Sequence, residues 1–417
     1  MDCRLRITKP FVYLQPPTHK TLLRGALLGL LFLGISAAEG QTYKVIYSFK
    51  GGSDGSAPYN PLVKIGSSLY GTTSQGGASN YGTVFKVSVD GTESILHSFS
   101  GSDGQNPESG LIKDSSRNLY GTTNTGGSVT CSIGLEFNGC GTIFQVTAAG
   151  DFTSLVSFAG TNGANPSGPL TLKNGTFYGV TGAGGQNANC PASDYEEGCG
   201  TVFAVSGTDW SESVLYNFGG GTDGFAPEGP VAFASGKLFG TTTSGNGSPC
   251  VSNVCGTAFE LTSKSGNWNE KMLHAFAGKT DGAFPNGGFV RIVSGEVYGT
   301  TLKGGANGFG TIFKIDGSGT KTILYSFKGT DGAYPNGALV RDSAGNFYGT
   351  TTYGGTSKVG TIFQFDSANN LTVLHNFTGG EDGAYPLGTL LLSGSTLYGT
   401  TLAGGPSNMG TVFELSK

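Results

Sequence analysis

Apolar residues along this chain fall in short blocks of four to six, rich in β-branched and aromatic types and separated by Gly, Asp, Asn or Pro. Blocks of that length with those boundaries predict short strands joined by tight turns. Beyond residue 40 no stretch keeps the spacing of a helix face. Four blocks recur in fixed order. The first ends in Phe, at Phe49, Phe99, Phe158, Phe218, Phe276, Phe327 and Phe377. A loop of the type "GTDGAYPNG" (329–337) and a short apolar stretch such as "ALVRD" (338–342) come second. The third is "LYGTT" (69–73) with counterparts at Tyr120, Tyr178, Phe239, Tyr298, Tyr348 and Tyr398, and the fourth is "GTVF", "GTIF" or "GTAF", beginning at Gly82, Gly141, Gly200, Gly256, Gly310, Gly360 and Gly410.

Measured at the aromatic residue of the third block, successive units are 50, 58, 61, 59, 50 and 50 residues apart. Four strands in about 50 residues, repeated, describe the blades of a propeller. A lone four-stranded sheet leaves both faces wet; stacking sheets around a ring buries them, and closing the ring protects the end blades. The expected fold is therefore all-β, a seven-bladed β-propeller with four-stranded blades in one domain, residues 41–417. Because the chain beyond residue 40 begins with a Phe-ending block and ends with a fourth block, pairing of the N- and C-terminal strands should close the ring. A β-solenoid is the rival, but its coils are usually shorter and more uniform.

Glycine supplies 74 of 417 residues and charged residues only 12%. The glycines follow no Gly-X-Y period, which excludes collagen, and 27 Phe with 17 Tyr provide a core that a disordered Gly-rich chain lacks. A net charge of −4 without basic runs in the body excludes nucleic acid as a partner. Arg4, Arg6, Lys9, Lys20 and Arg24 precede the apolar run 25–35 and the small residues "SAAEG", the pattern of a signal peptide, residues 1–40, cut near 38–40. The run is too short for a stable membrane span. Units two, three and four are longer than the rest, and the excess lies between the third and fourth blocks, where the cysteines are. The pairing expected in an exported chain is Cys131–Cys140, Cys190–Cys199 and Cys250–Cys255, since the inserts hold no His and two Cys per unit are too few for zinc.

The spacing LYGTT-x-x-GG-x(4)-GT-V/I-F, preceded by F-x-G-x-DG-x-x-P, resembles the GloVer tandem repeat of bacterial surface or secreted proteins described as having a choice of anchor. The resemblance covers essentially everything after residue 40 and implies an extracellular repeat protein with no assigned reaction. Members often end in an anchoring segment, whereas this sequence ends at "GTVFELSK". The paired glycines are also similar to kelch repeats, whose other residues align less well.

In a four-stranded up-and-down blade alternate connections share a face. The loop before the second block and the cysteine insert should therefore lie together, and any ligand site should lie there. Asp54, Asp103, Asp223, Asp281, Asp331 and Asp382, with Asn162 in the third unit, read first as Asx-turn acids and second as ligands of calcium or sugar. Phe284, Tyr334 and Tyr385 precede the loop proline and suit packing between blades or stacking on a sugar ring. The insert 190–199 adds Asp194, Tyr195, Glu196 and Glu197. His97, His274 and His375 share one position with Tyr47, Tyr216 and Tyr325, which reads as structural. Catalytic motifs of the HExxH and P-loop types are absent. The function expected is a secreted, monomeric, non-catalytic module, extracellular or periplasmic, without a cofactor unless calcium, binding extracellular glycans, envelope components or proteins. The alternative is an extracellular carbohydrate-active hydrolase or lyase using the insert-bearing face.

Overall fold

A computed structural model describes residues 41–417 apart from 59, 132–138, 188–189, 191–197, 246–254 and 292–294. The expected leader, residues 1–40, lies outside the described residues. Strand β1 (Thr42–Ser48) is followed by the first blade: β2 (Val63–Ile65), β3 (Ser68–Thr73), β4 (Thr83–Ser88) and β5 (Glu93–Ser98), paired antiparallel in that order. Six further small antiparallel sheets follow, one per repeat, and the seven form a closed ring. In blade 4 the first strand is split into Phe225–Pro227 and Ala232–Ala234. The last sheet has Leu391–Ser393, Thr396–Thr401 and Thr411–Ser416 from the C-terminus and β1 as its outermost strand, in register from Thr42 opposite Ser416 to Ser48 opposite Thr411. Tyr43 fastens this closure: its ring stacks on His375 of blade 6 at 3.8 Å and its hydroxyl donates to the Asp382 carbonyl at 2.6 Å.

The first strand of each blade lines the inside of the ring. Hydrogen bonds tie these inner segments to the neighbouring blade, among them Asn60 Nδ2 to Pro107 O (3.0 Å), Ser167 Oγ to Pro227 O (3.0 Å), and, from second strands, Thr350 Oγ1 to Gly388 O (3.3 Å) and Thr400 Oγ1 to Asn60 O (3.3 Å). Between blades the core is a repeated pair of phenylalanines. The Phe that ends each outermost strand and the Phe of the next blade's third strand are fully buried and meet edge to face or tilted, from Phe49–Phe85 at 5.1 Å to Phe377–Phe413 at 5.5 Å. Each buried Phe contributes about 1.5–3 kcal/mol, with a further ~0.5–1.5 kcal/mol from the ring pair. The glycine of "YGTT" makes room for this ring: a Cβ on Gly349 would lie 2.7 Å from Phe363 Cζ. The last Thr of that block pairs with the Thr of the fourth block through buried hydroxyls in every blade, as in Thr351–Thr361 at 2.8 Å. These contacts explain why both blocks repeat almost unchanged.

Candidate functional site

The loops entering each blade and the connections between second and third strands share one face, as backbone pairing shows: Ser56 N donates to Gln75 O (2.9 Å) and Gly77 N to Gly52 O (2.8 Å) in blade 1. On this face the loop aspartates have a defined task. Asp54 accepts from Lys50 N (2.6 Å) and the Tyr47 hydroxyl (2.6 Å), and Asp223 from Gly219 N (2.7 Å) and the Tyr216 hydroxyl (3.0 Å). Asp331 accepts from Lys328 N (2.8 Å) and the Tyr325 hydroxyl. Where the outermost strand carries His, its Nε2 takes the hydroxyl's place, at 2.8 Å from Asp103, 3.0 Å from Asp281 and 3.2 Å from Asp382. Tyr and His interchange because each brings a donor to one carboxylate. In the third unit Val156 offers none, and the acid is replaced by Asn162, which still accepts from Ala159 N at 2.8 Å. Burial holds the His97 and His375 rings below the ordinary histidine range although Asp103 and Asp382 pull the other way.

The outermost strand of the next blade supplies a third group at several of these positions, and here the repeats differ. Glu212 Oε2 accepts from Asn162 Nδ2 (2.8 Å), Phe152 stacks on His97 (3.5 Å), and Lys321 Nζ donates to Asp281 Oδ1 (2.8 Å). The Lys321 side chain is only 3% exposed and also lies 4.8 Å from the centre of the Phe276 ring. Burial alone would raise the Asp281 carboxyl, but hydrogen bonds from His274, Lys321 and Ala277 outweigh it and hold it well below the usual carboxylate range.

Phe284, Tyr334 and Tyr385 all have left-handed backbones (φ 57°, 58° and 58°). Their amides donate to Cys255 O (3.0 Å), Phe309 O (2.9 Å) and Val359 O (2.8 Å), tying each loop to the preceding blade. That tie explains a conformation costly for a bulky residue. The rings are half-buried and belong to a larger cluster: Tyr353 lies between Tyr334 (5.7 Å) and Tyr385 (5.3 Å), Phe309 lies 6.3 Å from Tyr334, and Lys303 Nζ lies 5.4 Å from the Phe284 ring. Burial raises the Tyr353 hydroxyl, with smaller contributions from Tyr385 and Tyr334. Aromatic groups thus form an arc over blades 5 to 7, while the equivalent positions in blades 1 to 4 are Ala57, Asn106, Asn165 and Ala226. Sequence reasoning missed Tyr353; aligning it with Gln75, Thr125, Lys303 and Ala403, which also precede a glycine pair, would have marked it.

Two more residues were missed. Glu108 and Glu228 follow the loop prolines at the start of inner segments, where other units have Ser167, Asn286, Asn336 or Leu387. Burial, then the nearby Glu108, pushes the Glu228 carboxyl up to about 7. An acid at a repeat position otherwise neutral was the available signal.

Disulfides join Cys131 to Cys140 and Cys190 to Cys199. Cys255 is also disulfide-bonded, and its expected partner Cys250 lies outside the described residues, as do Asp194, Tyr195, Glu196 and Glu197. Cys140, Cys199 and Cys255 are buried where the other blades place Tyr81, Phe309, Val359 and Met409 against the next loop. Among the described residues no group of three His, Cys, Asp or Glu side chains converges on a metal position, and no helix is long and apolar enough to cross a membrane.

The chain belongs to the family described as the Gloeobacter/Verrucomicrobia repeat, which matches residues 33–251 and 249–417. No curated protein matches it in sequence. Among solved structures, oligogalacturonate lyase in complex with manganese is similar over 90% of this chain and 96% of its own, at 9% identity and a TM-score of 0.52. The extracellular domain of a one-component system from B. thetaiotaomicron is similar over 91% of this chain, which spans 42% of that one, at 11% identity and a TM-score of 0.52. Puromycin hydrolase is similar over 84% of this chain and 50% of its own, at 11% identity and a TM-score of 0.51. At such identities the likeness is one of fold alone.

Proposed function

We propose that the ring is exported and serves as a non-catalytic module that binds extracellular saccharides on its loop face. The observation that carries this reading is the arc of half-buried rings, Phe284, Tyr334, Tyr353 and Tyr385, on three adjacent blades. Rings of this kind beside amide and hydroxyl groups suit a ligand with apolar ring faces and polar edges. The loop aspartates enter as the rigid support of that face, because their carboxylates are engaged by backbone amides and by Tyr or His. Export is supported by the leader-like residues 1–40, with removal near 38–40, and by disulfides, which persist in extracellular or periplasmic space.

The test is a glycan array with the mature protein, in calcium and in chelator. The expected result is saccharide binding reduced at least tenfold in Tyr334→Ala and Tyr385→Ala, about what one stacked ring contributes. Calcium dependence would place the loop aspartates among the ligands. A second reading, a saccharide hydrolase or lyase, is favoured by Glu228 beside Glu108, since a carboxyl titrating near 7 suits a general acid. Turnover abolished by Glu228→Gln, with binding retained, would replace the first reading with the second.

A further inference from the structure

At two of the seven junctions between blades the group that meets the loop aspartate is another acid. Glu93, the first residue of β5, lies beside Asp54, and Glu270, in the outermost strand of blade 4, lies near Asp223. Both aspartates already accept from a backbone amide and a tyrosine. Glu93 Oε1 and Glu270 Oε1 are shielded from water and meet no donor among the described residues. The groups around Glu93 are Asp54, Lys50 and Tyr47, and those around Glu270 are Asp223 and Tyr216; Lys50 is the one cation among them.

We propose that the Asp54–Glu93 and Asp223–Glu270 contacts make the ring pH-sensitive: each glutamic acid keeps its proton in acid medium, and its loss loosens the junctions of blade 7 with blade 1 and of blade 3 with blade 4. An ionised glutamate there has a second carboxylate beside it and one oxygen without a donor. Burial first, and the aspartate charge second, push Glu93 and Glu270 up to about 7. The folded state therefore binds more protons than the unfolded one between the ordinary glutamate value and 7. Stability from these groups is complete below that window and is lost as pH rises through it. His97 and His375, held low by burial, act in the opposite sense as pH falls. A variant comparison separates the two contributions.

The experiment measures Tm of the mature protein from pH 5 to 9, with a Glu93→Gln/Glu270→Gln double variant in which a neutral amide replaces each protonated acid. The variant should match the wild type at pH 5 and exceed it by about 2–4 °C at pH 8.5. A difference between the two proteins that stays constant from pH 5 to 9 overturns the proposal. Amide hydrogen exchange on the wild type provides the second measurement if the variant folds poorly. Residues Glu93–Ser98 and Asn267–Ala275 should lose protection between pH 5 and 8, after correction for intrinsic rates, relative to Leu371–Asn376, whose loop aspartate faces no acid. Equal loss in all three strands would also overturn it.

Discussion

The pairing of each loop aspartate with a donor on the preceding outermost strand makes a quantitative prediction at Tyr325 and Asp331. The Tyr325 hydroxyl donates to Asp331 Oδ2 while Lys328 N donates to Oδ1 at 2.8 Å. Tyr325→Phe removes one hydrogen bond to a charged group and leaves the ring against Phe327, 5.6 Å away. Such bonds are worth about 1.5–3 kcal/mol when shielded, and both partners are half-exposed, so the expected loss is about 1–2 kcal/mol. Asp331→Asn alone keeps the amide contact, as Asn162 does with Ala159 at 2.8 Å, and should cost about 1 kcal/mol because the hydroxyl then meets a neutral group. Once the hydroxyl is absent the charge has no further use, so the double variant should be no worse than Tyr325→Phe. The coupling energy is then about 1 kcal/mol, readable from urea unfolding of the four proteins at pH 7. Additivity within about 0.3 kcal/mol would refute the assignment, and the joint occurrence of Val156 with Asn162 would then lose its physical explanation.

Three other outcomes follow from the same contacts. Lys321→Met leaves Asp281 without its buried cation and should lower stability by about 2–4 kcal/mol at pH 7 by urea unfolding. Gly349→Ala places a methyl group 2.7 Å from the Phe363 ring and 3.1 Å from Leu339 Cδ2, so the loss should be about 1–3 kcal/mol, whereas Gly175→Ala, which meets nothing within 4 Å but has φ +80°, should cost only its backbone strain of about 1 kcal/mol. Reducing the 131–140 and 190–199 disulfides should lower Tm without abolishing the β-sheet circular dichroism signal, each bridge contributing about 2–3 kcal/mol; full unfolding on reduction would show that the blades depend on them.

The ring could be read from the chain because its causes are local and repeated. Block length, turn residues and the Phe of each outermost strand state the blade, and a first block without its own sheet states the closure. The placement of inserts and loops on one face follows from strand parity alone. The partners of the loop aspartates could not be read in the same way. That Tyr47 reaches Asp54 is a relation within one repeat, but whether Glu93, Lys321 or Leu371 stands on the far side depends on how neighbouring sheets meet. Tyr353 and Glu228 were hidden for a related reason: each is an ordinary residue in its own unit and becomes notable only beside the equivalent positions around the ring.

The outermost strand of the last blade has a consequence in time. Thr42–Ser48 is made before the seven sheets, yet its partner Thr411–Ser416 lies at the far end of the chain. Six blades can assemble from neighbours in sequence while that first segment waits unpaired, with Tyr43 and Val45 open to solvent. The final blade is thus finished by a segment synthesised before any of its other strands. A chain interrupted before residue 411 would leave a sheet edge at one end and a bare strand at the other, two surfaces made to recognise each other and equally able to find those of a second molecule.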